Sequence, residues 1–464
     1  MVEGTCSGPV AGEAVTTLGA FDLGRHGYVS EEWLMEGIAT SRRAVGVTGD
    51  DGRWETEPRE DAPYQTRLVV CRPVDPARAN GTVVVEWLNV SGGGDGSPDW
   101  FFLHRHLMRT GAAWVGVSAQ KAGIDGGGFF DSGMHLKAVA PERYGSLSHP
   151  GDAFAYDMYT QAGAAVRSST GPLAGIAVET VLAVGESQSA VFLVTYVNAF
   201  DHAAAVYDGL LIHGRGSSGA TLDGNMFRAG EALNFAGRQL IREDARVPVL
   251  TVQSETDLVM MNGIRGRQPD GERFRWWEIA GASHFDTYGL IASQKDDGTL
   301  APAELAALLV PPDEVIGRKT PGPVNSGPQQ HYVLNAAIAH LEAWVRHGAE
   351  PPRAPRIESD ESGDAPVLVR DELGIAKGGI RTPWVDAPVA VLSGQGYDGE
   401  TLTALFGRTR PLTGEQLTRL YPEGQWDYLA SFEKSVDEAI AAGFILADDR
   451  EEILSLGRAA CSIP

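Results

Sequence analysis

Cysteine is scarce in this chain. Cys6, Cys71 and Cys461 are the three cysteines among 464 residues, too few and too scattered for a disulfide framework or a zinc cluster, which fits a reducing compartment. Positive charge is also in short supply. Against 61 Asp and Glu stand 38 Lys and Arg, a formal net charge of −23, which repels phosphate backbones and anionic membrane surfaces. Nucleic acid and membrane are therefore not expected as partners. Long apolar runs are missing as well: no stretch reaches the about 18 uninterrupted apolar residues of a membrane-spanning helix, and "MVEGTCSGPVAGEAVTTLG" has neither the basic nor the apolar region of a secretory signal. A cytoplasmic protein is expected. Internal repeats and low-complexity segments are lacking. So are H-E-x-x-H and a G-K-[ST] after a glycine loop, so no metal and no cofactor is expected.

What is present is alternation. From about residue 60 to 350, the short apolar runs "RLVVCR", "GTVVVEWLNV", "AAWVGVSA", "ETVLAVG", "AAAVYDGLLIHG", "VPVLTVQ" and "FRWWEIAG" alternate with helical patterns. Runs that are β-branched and apolar on both faces belong to strands buried between helical layers, so the fold class is α/β with a mostly parallel sheet. "GDAFAYDMYTQAGAAVR" and "SQSAVFLVTYVNAF" read as helices around one strand, and "QQHYVLNAAIAHLEAWVRHG" sets Leu334, Ile338, Leu341 and Val345 on one face before Gly348 and Pro351 stop it. Beyond Pro355 the composition turns polar and acidic. An extension over 356–464 with a stripe of Leu429, Phe432, Val436 and Ile440 has no clear core of its own and is expected to wrap the main unit, giving one domain over 1–464.

The stretch "VLAVGESQSA" places Ser187 between a buried-strand run and a helix. Gly-x-Ser-x-small arises by chance about once in a chain this rich in Gly, Ala and Ser, and "GSSGA" repeats it at Ser218. Only Ser187 has the strand-turn-helix context that presents a nucleophile at the carboxyl edge of a sheet; a helix-capping serine is the blander alternative. Of eleven histidines, His104 and His106 point to different sides of a helix. His284 instead follows a strand in "RFRWWEIAGASHFD" and comes after the serine and the candidate acids, the Ser…acid…His order of one triad architecture. The loop "SETDLVMM" offers two acids. Asp257 is preferred over Glu255 because it sits two residues farther along the turn.

An oxyanion needs backbone donors. The helix start at Gln188 and the turn Val90, Ser91, Gly92 in "VVVEWLNVSGGGDGSPDW" are the candidates. Only 70 residues separate Ser187 from Asp257, so cover over the site is expected from 119–150 and 285–328. Trp100, Phe101, Phe102, Phe129 and Phe130 are candidates for an aromatic substrate lining, or else are ordinary core.

Taken together, "GTVVVEWLNVSGG…PDW", "VLAVGESQSA", "RQPDGERFRWWEIAGASH" and "GGIRTPWVDAPVAV" resemble the bacterial alpha/beta hydrolase domain-containing proteins of the α/β-hydrolase fold superfamily, over nearly the whole chain. The resemblance implies an eight-stranded sheet and a serine hydrolase using Ser187, His284 and Asp257 or Glu255. It is related to esterases and to enzymes that open large aromatic lactones. Ser189 departs from the usual second glycine of the elbow and bears on how closely strand and helix approach. The expected substrate is a small-molecule ester, or a lactone opened by the same triad; a non-catalytic binding protein on this scaffold is the remaining alternative.

Overall fold

The computed structural model describes residues 4–128, 132–226, 237–315, 317–363, 365–397 and 403–461. Nine strands form the main sheet: β1 (Thr5–Ser7), β2 (Tyr28–Ala44), β3 (Thr56–Pro73), β4 (Thr82–Trp87), β5 (Ala113–Val117), β6 (Thr180–Glu186), β7 (Gly209–His213), β8 (Val249–Ser254) and β9 (Phe274–Ile279). Their spatial order is β1-β2-β3-β5-β4-β6-β7-β8-β9. From β5 to β9 every neighbour is parallel, and β1, β2 and β3 add an antiparallel edge. The seven apolar runs became β3 to β9. The sheet nevertheless has one strand more than the eight expected, and it begins well before residue 60. The strand β2, "YVSEEWLMEGIATSRRA", buries Tyr28, Glu32, Met35, Ala39 and Ser41 and leaves its other positions partly or fully exposed, unlike the fully buried parallel strands.

Alternate residues of the parallel strands feed two cores. Val83, Val85, Trp87, Ala183 and Ile212 face one side, where they meet α2 (Ala155–Ala165) and α3 (Gln188–Ala199). Val84, Val184, Leu211 and Val252 face the other, beneath α1 (Pro98–Thr110) and α5 (Gln329–His347). Glu86 is the exception in this apolar strand. Its carboxyl accepts the N–H groups of Asp99 and Trp100 at 3.0 and 2.8 Å and the indole N–H of Trp114 at 2.8 Å, so it satisfies donors that the first turn of α1 leaves free. Burial pushes its carboxyl pKa well up.

The C-terminal extension joins the second core. Tyr428, Phe432 and Val436 of α6 (Gln425–Ala441) and Ile453 of α7 (Arg450–Ala460) belong to the same cluster as Trp277 and Tyr332. Glu452 of α7 receives Arg105 of α1 through two short hydrogen bonds. Farther upstream, Ile380 pairs alongside Ile279 at the end of β9. No described helix is long and apolar enough to cross a membrane.

Candidate active site

The turn between β6 and α3 puts Ser187 at φ 59, ψ −118, a region that non-glycine residues avoid and that costs on the order of 1–3 kcal/mol. The surroundings hold it there. Its N–H donates to the carbonyl of His213 at 2.9 Å, and its own carbonyl accepts Val191 N–H at 3.2 Å. A Cβ on Gly185 would lie 3.1 Å from Ser189 Cβ and 3.0 Å from Leu193, so strand and helix approach closely, and the departure at Ser189 is accommodated by a fully buried side chain.

His284 leaves the end of β9 through Gly281, Ala282 and Ser283 and meets three side chains. Nε2 lies 2.8 Å from Ser187 Oγ, and Nδ1 lies 2.5 Å from Asp257 Oδ1. The third is Glu186 of β6, whose Oε1 is 3.0 Å from Nε2. Burial lowers the pKa of His284, but the carboxylates of Glu186 and Asp257 outweigh it and the net shift is upward. Asp257 is itself fixed by the start of α4 (Glu255–Val259): its Oδ2 accepts Ser254 N–H at 2.6 Å while Ser254 Oγ accepts Asp257 N–H at 3.3 Å, a reciprocal capping box.

Glu255 does not reach the histidine contacts. Its carboxylate accepts the N–H of Gly281 at 2.7 Å and of Gly394 at 3.1 Å and pairs with Arg370 at 2.8 Å. It ties the histidine loop to the C-terminal extension. Ser218 pairs through its backbone with Arg238, and His104 is held between the carbonyls of Trp100 and Asp296, so neither enters the cluster. No group of three or more His, Cys, Asp or Glu side chains suited to a metal ion occurs among the described residues.

The other predicted residues separate. Gln188 occupies the first position of α3, where an N–H has no partner within the helix, and its side-chain oxygen lies 3.4 Å from Val90 N. Ser91 N–H is already taken by Asn89 Oδ1 at 2.8 Å, which leaves Val90 as the donor of that turn directed toward Gln188. Gly92 is exposed and its carbonyl accepts Ser132 Oγ. Trp100, Phe101 and Phe102 are buried in α1: Trp100 packs on Trp114 and donates to Leu18, and Phe102 packs on His213, Phe285 and Tyr288. Phe129 and Phe130 lie outside the described residues. A cleft of about 310 Å³ is lined by Lys121, Asp152, Phe154, Asp223 and Met226, among others. Ser187, His284 and Asp257 do not line it.

The sequence matches the family described as Alpha/beta hydrolase domain over residues 3–455. The chain belongs to that family. Among solved structures it shows likeness to a poly(3-hydroxybutyrate) depolymerase from Bordetella parapertussis, at 18% identity and TM-score 0.30, covering 53% of this chain and 90% of that one. A fungal esterase from Rhizomucor miehei gives 11% identity and TM-score 0.27 over 53% and 75%. An α/β serine hydrolase from Xanthomonas campestris gives 14% and 0.24 over 48% and 72%. No curated protein matches.

For an alpha/beta hydrolase domain, sequence reasoning missed several residues around the histidine. Glu186 stood inside the quoted elbow without a role. His213 ends β7, with Nδ1 2.9 Å from Asp99 Oδ1 and Nε2 3.0 Å from Gln330 Oε1. Asp99 lifts its pKa to about 9 against the lowering effect of burial. A histidine closing the buried run "GLLIH" beside the serine's strand was the available signal.

Proposed function

We propose that the protein is a serine hydrolase that cleaves carboxylic esters through an acyl-enzyme. The observation that carries this reading is the continuous chain Ser187 Oγ, His284 Nε2, His284 Nδ1, Asp257 at 2.8 and 2.5 Å, presented on a strained turn at the carboxyl edge of a parallel sheet. With Nδ1 carrying the ring proton toward Asp257, Nε2 is free to accept the serine proton. Oγ attacks the acyl carbon, and the N–H groups of Gln188 and Val90 face the developing oxyanion. The imidazolium then protonates the leaving alkoxide, and a water activated by the same nitrogen releases the acid. Gln188 Oε1, now on Val90 N–H, occupies an acceptor position that a substrate carbonyl would take.

The substrate in this reading is a small-molecule ester held under cover from 119–150 and 285–328. Trp100, Phe101 and Phe102 are buried in α1, where Phe102 packs on His213 and Phe285. Cyclic esters would be opened by the same groups, and a panel of linear esters and macrocyclic lactones separates the two. A cytoplasmic setting rests on the scarcity of cysteine.

The test is labelling with a fluorophosphonate probe. Wild type should react covalently and Ser187→Ala should not. Labelling that survives the substitution places the nucleophile elsewhere, and absence of labelling and of ester turnover in folded wild type favours a binding protein.

A further inference from the structure

We propose that Glu186 is a fourth member of the catalytic cluster, a carboxyl group beside His284 Nε2 whose charge stabilises the protonated ring while Ser187 holds that nitrogen's hydrogen bond. The argument begins with distance. Asp257 at 2.5 Å holds the Nδ1 proton, so in neutral imidazole Nε2 presents a lone pair. Ser187 Oγ takes that nitrogen's hydrogen bond at 2.8 Å, and Glu186 Oε1 stands beside it at 3.0 Å, an ion-pair contact whenever the ring is protonated. A protonated His284 therefore lies between two carboxyl groups, Asp257 at Nδ1 and Glu186 beside Nε2.

The contact is built rather than incidental. Glu186 is 4% exposed. Asn89 Nδ2 donates to its carbonyl at 3.0 Å and approaches Oε2 at 3.3 Å, which orients the carboxyl group. Gly214, at φ 65, leaves room for both partners: a Cβ there would stand 3.2 Å from His284 Cε1 and 3.6 Å from Glu186 Oε1. The charged and titratable groups that face Glu186 are His284 on the loop after β9, His213 at the end of β7, Asp99 on α1 and Asp257 on α4. Burial outweighs the two histidines and sets its pKa at about 7, within the range where a base for serine must operate.

In the neutral ring Nε2 accepts the hydrogen bond of Ser187 at 2.8 Å. As the Oγ–carbon bond forms, the hydroxyl proton passes to Nε2, and the resulting imidazolium lies between two carboxylates, Asp257 at Nδ1 and Glu186 at Nε2. That proton then departs with the leaving alkoxide, whose bond to the acyl carbon breaks. Glu186 thus holds the site off at low pH and stabilises the imidazolium once it is ionised.

The experiment compares wild type, Glu186→Gln and Glu186→Asp in two measurements. The first is the pH titration of the His284 ring by NMR in the intact protein, assigned with His284→Asn. It needs no turnover, so it decides the proposal even if the esterase reading, on which only the second measurement rests, fails. The titration should move to lower pH in Glu186→Gln, with Glu186→Asp between. The second is the pH profile of kcat/KM on a p-nitrophenyl ester. In Glu186→Gln the plateau should fall about 10- to 100-fold, the effect of one to two pKa units of lost charge stabilisation, while the acid limb shifts to lower pH. A fallen plateau with an unmoved limb and an unmoved titration would mean a structural role only and overturn the proposal, as would no change in either.

Discussion

Replacing Asp257 by Asn and Glu255 by Gln should produce opposite phenotypes. Asp257 uses its two oxygens separately, Oδ1 on His284 Nδ1 at 2.5 Å and Oδ2 on Ser254 N–H at 2.6 Å. Asparagine has one oxygen and one amino group for those two places. With the oxygen kept on Ser254, the amino group points at Nδ1 and drives the ring proton to Nε2, where it faces Ser187 and disables the base. The same exchange in the chymotrypsin triad lowers kcat about ten-thousand-fold, which is about 5.4 kcal/mol of barrier. Glu255→Gln instead leaves Arg370 without its carboxylate at 2.8 Å. Removing one partner of a buried pair costs about 3–5 kcal/mol. The Arg370 side chain keeps 19% exposure, which puts the loss near the lower end. For 464 residues the unfolding entropy is about 1 kcal/mol/K, so Tm should drop by about 3 °C with kcat nearly unchanged. Turnover of a p-nitrophenyl ester at 25 °C and thermal unfolding, measured on both variants, check this. If Glu255→Gln loses turnover while Asp257→Asn keeps it, the reasoning is refuted.

Two further outcomes follow from the histidine surroundings. His213 has a folded pKa of about 9 against an ordinary value near 6.5, so its contribution, about 3 kcal/mol at most, is complete below about pH 6.5 and is lost as pH rises through 9. Chemical denaturation at pH 6, 7.5 and 9 should show that decline, and His213→Asn should flatten it; an equal slope in the variant would assign the decline to other groups. Gly214→Ala would put a Cβ 3.2 Å from His284 Cε1 at φ 65, so kcat should fall at least about ten-fold with a loss of about 1–2 kcal/mol in stability. Unchanged steady-state kinetics in that variant would show that the ring has room to move.

The parallel strands were legible because each is a short apolar run closed by a turn, and the helices because their stripes repeat at helical spacing. β2 was not, since its charges at Glu31, Glu32 and Glu36 and its many part-exposed positions leave no continuous run to recognise. Part of the choice between the two acids could have been read directly. Ser254 followed three residues later by Asp257 has the spacing of a capping box, and that reciprocal bond is what orients the carboxylate. The aromatic run at 100–102 could not be divided into core and lining without knowing which face of α1 meets the sheet. Glu186, Asp99 and His213 come from β6, α1 and β7, and their meeting depends on strand order, which local spacing does not encode.

Glu255 and Asp257 divide two tasks within one turn of helix, and the division links the extension to the site. Asp257 faces inward to the histidine ring, while Glu255 faces the backbone that carries it, holding Gly281 N–H three residues before His284. The same carboxylate takes Gly394 N–H and Arg370 from the extension, and Thr256 between the two acids donates to Gly394 while accepting His284 N–H at 3.1 Å. The histidine loop is thus pinned from behind by Arg370 and Gly394, far downstream in the chain. A triad tolerates little play, since an error of about 1 Å in a reacting group can cost a hundred-fold in rate. The clamp at Glu255 is shared with Thr256, so neutralising it is read in stability rather than in turnover, and its desolvated charge is balanced by Arg370, a residue that the extension supplies.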